Sequence, residues 1–145
     1  MGLKIAENLV TVGDGYDVSG KAGEEIEVGD VVVSPDGQEW RHAASEGEDD
    51  VLYGVVKEDP VKDTIELNDP VTVRIRGMAV VELTDAGCEL GEYVECSATD
   101  GEVTVAEPTV DTDTSTDQPV EGLEAVVGRV KKNRDDAGKI IIEVL

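Results

Sequence analysis

Phenylalanine is missing from this chain altogether, and Trp40 is its only tryptophan. Three tyrosines complete the aromatics, so valine and isoleucine must supply most of the apolar area, and both favour strands over helices. His42 is the only histidine, and Cys88 and Cys96 are the only cysteines. That set cannot furnish the four ligands of a structural zinc site. The two thiols leave either a disulfide across a hairpin or a buried, reduced pair, the second being the plainer state. No apolar run approaches the roughly 20 residues of a membrane-spanning helix. The opening MGLKIAENLV has no signal-peptide apolar core, and Ala6 stands where myristoylation wants Ser or Thr. The expectation is no membrane partner. Positive charge is the last shortage: 12 basic residues face 34 acidic ones, for a formal net charge of −22. Such a chain repels nucleic acid, which excludes genome binding.

So much acid suits either a disordered chain or a folded one in concentrated salt. Regular spacing of Val, Ile and Gly favours the folded reading. At about 1 M salt the Debye length is only about 3 Å, so crowded surface carboxylates stop repelling one another strongly. The composition therefore points to a halophilic source. A length of 145 residues fits one domain.

Short valine-rich runs recur between Gly, Pro, Asp and Asn, among them EIEVGDVVVS, DVLYGVVKE, PVTVRIRG, MAVVEL, EAVVGRVKK and KIIIEVL. This is the pattern of an all-β fold, and no segment holds a convincing helical period. Two halves line up within it. Ile26-x-x-Gly29-Asp30-x-Val32 returns in looser form as Glu89-Leu90-Gly91-Glu92-x-Val94, and Asp36-Gly37 returns as Asp100-Gly101. YGVVK at 53–57 answers to VGRVK at 127–131, and PVTVRI at 70–75 to KIIIEV at 139–144. The expected architecture is a compact β-barrel or β-tulip-like domain over 23–145, built from two loosely related β units. The Thr/Asp-rich stretch 108–122 reads as an exposed acidic loop inserted in the second unit. Residues 1–22 read as an extended N-terminal arm, because GDGYDVSGKAG looks like a glycine-rich tether.

Sites for chemistry are few. Asp111-x-Asp113-x-Ser115-x-Asp117 opens like a calcium loop, but Thr116 and Gly122 occupy the places that need Gly and a bidentate Glu. Pairs such as Asp49-Asp50 and Asp135-Asp136 carry no signal among 34 acids. His42 has Ser45 nearby, yet no Gly-x-Ser-x-Gly elbow supports a nucleophile. The expectation is no catalytic, cofactor or metal residue, and so no enzyme. What remains is surface. Arg129, Lys131, Lys132 and Arg134, with Arg74 and Arg76 on another strand, hold half of the 12 positive charges. They suit either solvated strands or a docking face for an acidic partner. Leu3, Ile5, Leu9 and Val10 of the arm would be left exposed unless a neighbour covers them.

Taken together, Ala22, Gly23, Ile26, Gly29, Asp30 and Val32, then Gly54-Val55, then Val71, Val73 and Gly77, resemble the head decoration, or cement, proteins of tailed viruses. Leu90, Gly91 and Val94 with a closing Val127-Gly128-Arg129 complete the resemblance, which covers about 22–145. The acidic composition and the 108–122 loop depart from that pattern, and the first fits a virus of a haloarchaeal host. The resemblance implies a β domain on the outer capsid surface, often a homotrimer, that clamps major capsid subunits together without catalysis. The arm residues Leu3, Ile5, Leu9 and Val10 and the basic strand Arg129, Lys131, Lys132 and Arg134 are then the expected contacts. A carbohydrate- or receptor-binding β domain on a virion or cell surface is the alternative, although the aromatic residues that would stack on sugar are scattered.

Overall fold

A computed structural model describes residues 10–43, 51–59, 61–106, 109–110, 120–121, 126–132 and 138–145. The described residues form strands and turns and no helix. In chain order the strands are β1 (Thr11–Ala22), β2 (Ile26–Glu27), β3 (Val31–Ser34), β4 (Glu39–Trp40), β5 (Leu52–Val56), β6 (Thr64–Ile65) and β7 (Pro70–Glu82). There follow β8 (Tyr93–Cys96), β9 (Val103–Ala106), β10 (Thr109–Val110), β11 (Val120–Glu121), β12 (Val126–Lys132) and β13 (Lys139–Val144). The main sheet runs β3-β5-β7-β13-β12-β8-β9, with β1 laid on β7 and β4 on β1. It curls strongly into a half-barrel, an all-β, barrel-like domain. PVTVRIRG and MAVVEL, separate runs in the sequence, form one continuous strand, β7, whose Gly77 takes φ 106°.

The expected kinship of the halves holds bond by bond. Gly29 and Gly91 both take positive φ, 91° and 84°, at the head of a turn. The Gly29 N–H donates to the Val56 carbonyl and the Val56 N–H to that of Asp30, each at 2.9 Å. At the matching positions the Gly91 N–H donates to Val130 and the Val130 N–H to Glu92, again at 2.9 Å. The acidic side chain closes each turn: Asp30 accepts from the Glu27 N–H, and Glu92 from the Glu89 N–H. Val32 pairs with Gly54 on β5, and Val94 with Gly128 on β12. Val56 then meets Val73 on β7, as Val130 meets Ile142 on β13.

The same register corrects the arm. Residues 1–9 lie outside the described residues, but Thr11–Ala22 is strand β1, antiparallel to β7 from Thr11 opposite Ala79 to Lys21 opposite Pro70. Val18 faces Val73 on β7 just as Ala79, further along β7, faces Ile142 on β13. The first unit is therefore β1, β3, β5 and the front of β7; the second is the back of β7, β8, β12 and β13. One strand serves both. The 108–122 stretch falls largely outside the described residues, with β10 and β11 pairing near its two ends.

Two apolar clusters hold the fold. Val31, Val33 and Val55 of the first unit share a core with Val94, Val130, Ile140 and Ile142 of the second. The other face of the first unit, Val32, Val56, Val71 and Val73, packs with Ala22, Ile26, Trp40 and Ile65. Fully burying each such side chain is worth about 1.5–3 kcal/mol. The run VVVS is buried on both faces for this reason, whereas β13 alternates between buried and half-buried residues.

Candidate functional site

The structure separates the residues that the sequence grouped. Leu3, Ile5 and Leu9 lie outside the described residues. Val10, expected on a docking arm, is 6% exposed and belongs to the protein's own core. Its N–H and that of Thr11 donate to the Glu58 carboxylate at 3.0 and 2.9 Å. Burial pushes the Glu58 carboxyl up, but these bonds and that from the Thr11 hydroxyl win and hold it below its ordinary value. That anchorage leaves Val10 nothing to offer a neighbour.

The basic residues divide as well. Arg129 lies over the Tyr93 ring at 5.1 Å and donates from Nε to the Gly91 carbonyl at 3.2 Å. Lys131 pairs with Glu143 at 3.1 Å, Lys132 is exposed, and Arg134 lies outside the described residues. Arg74, read as a surface charge, is only 4% exposed. Its Nε donates to Asp17 at 2.9 Å, and its Nη1 donates to the carbonyls of Val12, Gly13 and Met78 at 3.0–3.1 Å. These bonds span the irregular stretch of β1 between Val12 and Gly15. The guanidinium beside Asp17 outweighs the cost of burial and holds that carboxyl below the usual range. Arg74 is thus a strut, and only Arg76 of that pair is exposed.

His42 is clamped. Its Nε2 stands 2.7 Å from Asp30 Oδ2, its Nδ1 is 3.2 Å from Glu24 Oε1, and its backbone N–H donates to that same Glu24 oxygen at 2.7 Å. The Asp30 bond raises the imidazole pKa above 6.5 against the opposing effect of burial, with Glu24 and Asp100 adding their charges. The ring ties Asp30 to the segment after β4, a structural task. Ser45, Asp49, Asp50, Asp111, Asp113, Ser115, Asp117, Asp135 and Asp136 fall outside the described residues. Cys96 is buried and Cys88 half-buried. Among the described residues no three His, Cys, Asp or Glu side chains converge as a metal site would need.

Two hollows remain. The larger, about 780 Å³, is an acidic cleft walled by Glu27, Asp30, Glu82, Asp100 and Glu102 with Lys139 at its edge. The smaller, about 410 Å³, opens where β5, β7, β12 and the chain's last residue meet. Leu52, Ile75, Val126 and Leu145 give it apolar walls, with Tyr53 and Arg76 beside them. Sequence reading missed this mouth, because its residues are scattered and each sits in an ordinary strand pattern; Arg76 was the one visible signal. No protein-family model matches the chain, and no curated protein shows significant similarity to it.

Proposed function

We propose that the protein is a non-enzymatic structural component of a tailed-virus head, seated on the outer capsid surface and stabilising contacts between major capsid subunits. The observation that carries the reading is the work done by the resembling residues. Gly29, Asp30, Val32 and Gly54, and their counterparts Gly91, Glu92, Val94 and Gly128, are spent on one repeated turn-and-strand scaffold. A decoration protein asks for just this: a stiff β body whose surface does the binding. The partners in this reading are the major capsid protein and further copies of the chain in a homotrimer, and the −22 charge fits a haloarchaeal host.

Cosedimentation with undecorated heads tests it. The protein should pellet with heads in molar salt and release at about 0.1 M, where screening no longer offsets repulsion within the acidic body. Failure to pellet at any salt would sink the reading. Sedimentation equilibrium of the unbound protein checks for the trimer.

A further inference from the structure

We propose that the mouth between β5, β7 and β12 is a docking socket for a protein segment that presents an apolar side chain next to a carboxylate. Three observations meet there. First, large apolar side chains remain uncovered: Leu52 is 47% exposed and Leu145 57%, and Ile75, half-buried, lines the same hollow. Tyr16, at 60%, stands opposite Arg76 on β1. Second, the hollow of about 410 Å³ is large enough to admit an aliphatic side chain, and Tyr53 and Val126 give it a buried floor. Third, Arg76 is exposed beside it, and among the described residues its guanidinium has no ion pair or hydrogen bond, whereas Arg74 and Lys131 are engaged.

The charge decides the occupant. On a chain of −22, an acidic partner is repelled by most of the surface, and a guanidinium unpaired among the described residues, beside an apolar hollow, is where it is not. Tyr and Arg around aliphatic residues are also the side chains that dominate binding energy at protein interfaces. A segment with Leu or Ile beside Asp or Glu fills the hollow with the first and meets Arg76 with the second. The socket draws on both units, since Leu52 on β5 and Val126 on β12 occupy matching positions. That the partner is a capsid subunit rests on the proposed function; the chemistry of the mouth does not.

The test uses two capped tripeptides, Leu-Asp-Leu and Leu-Lys-Leu, titrated into the full chain with side-chain methyl resonances as the readout. Working at about 1 M salt removes the long-range pull of the acidic surface on the lysine peptide. Leu-Asp-Leu should shift the Leu52, Ile75 and Leu145 methyls and bind at least about tenfold tighter than Leu-Lys-Leu. Arg76→Gln, at an exposed position, should erase that preference, and Leu52→Asp should abolish binding of both peptides. Equal binding of the two peptides to the unaltered chain overturns the proposal, as does an Arg76→Gln chain that keeps the preference. Shifts that map instead to the Ile141 methyls, beside the basic strand β12, or no shift at about 10 mM peptide, overturn it as well. Cosedimentation with heads is scored separately, so a failed socket and a failed capsid reading give different results.

Discussion

The two units share a backbone and put it to opposite uses. In the first, Val31, Val33 and Val55 point into the core shared with the second unit. Their counterparts in the second are Tyr93, Glu95 and Arg129, and Arg74 on β7 answers to Glu143 on β13. The equivalent face is therefore buried, and apolar but for Arg74, in one unit and polar and partly wet in the other. The opposite faces differ too: Val32, Val56 and Val73 lie under Trp40, Ile26 and Ile65, while Val94, Val130 and Ile142 lie against the first unit. The units stack front to back. One open face must be left over, and it is the face that carries Arg129, Lys131 and Glu143. Charge there is what a solvated last face requires, which explains the basic strand without any ligand.

The sharpest way to break this comparison is to alter matched positions and ask whether the costs diverge. Arg74→Met takes from Asp17 its closer partner, leaving it only Lys57 at 3.3 Å, and leaves three backbone carbonyls without that donor inside the fold; each buried polar group left unsatisfied costs about 1–3 kcal/mol. Glu143→Gln at the matching place breaks only the half-exposed pair with Lys131, worth about 0–1 kcal/mol. Urea melts in molar salt should separate the two variants by several kcal/mol. Similar costs would mean that the two faces are not used as described.

The matched glycines sharpen the comparison at a smaller scale. A Cβ on Gly128 would stand 2.3 Å from the Glu143 carbonyl oxygen, and one on Gly54 would stand 2.2 Å from the Val73 Cγ1 and 3.0 Å from the Arg74 carbonyl oxygen. Both positions are closed to any side chain, so Gly→Ala should cost about 1–3 kcal/mol at each by overpacking. Gly128→Ala should be the worse, because a strand backbone yields less readily than one valine. Equal thermal midpoints for either variant and the parent chain would show that β12 and β13, or β5 and β7, can part without penalty.

Much of this was legible in the sequence. The Gly-Asp and Gly-Glu turns and the paired runs gave away the duplication, because a turn that needs positive φ spells itself in glycine. The all-β class followed from valine-rich runs of strand length. The use of each face was hidden, since the sheet's curl, a long-range property, decides which unit lies on which. Strand β1 was misread for a definite reason. Gly15 and Gly20 suggest a flexible tether, yet a Cβ at either would collide with the carbonyl oxygen of Arg76 or Gln38, at 2.5 and 2.3 Å. Those glycines permit close approach of strands, and no local pattern distinguishes that from flexibility. Arg74 was misjudged on the same strand pair, because only the register brings Asp17 opposite it.

The smallest expected effect concerns the one turn acid that has a histidine. Asp30 and Glu92 close equivalent turns, but only Asp30 also meets an imidazole, that of His42 at 2.7 Å. Asp30 presses against Gly101 of the second unit as well, where a Cβ would stand 2.3 Å from its Oδ1. Folding raises the His42 pKa above 6.5, so the folded state holds this proton more tightly than the unfolded chain does. The resulting stability is full below about pH 6.5 and is lost as pH climbs through the raised folded value. Thermal midpoints measured from pH 6 upward should therefore fall, and His42→Gln should flatten that fall while leaving the second unit's turn at Glu92 unaffected. Subtracting the variant's curve from the parent's removes other groups that titrate in the same range. If the two curves run parallel, the imidazole is not charged in the fold, and the Asp30 turn is held as the Glu92 turn is, by its backbone and its own carboxylate.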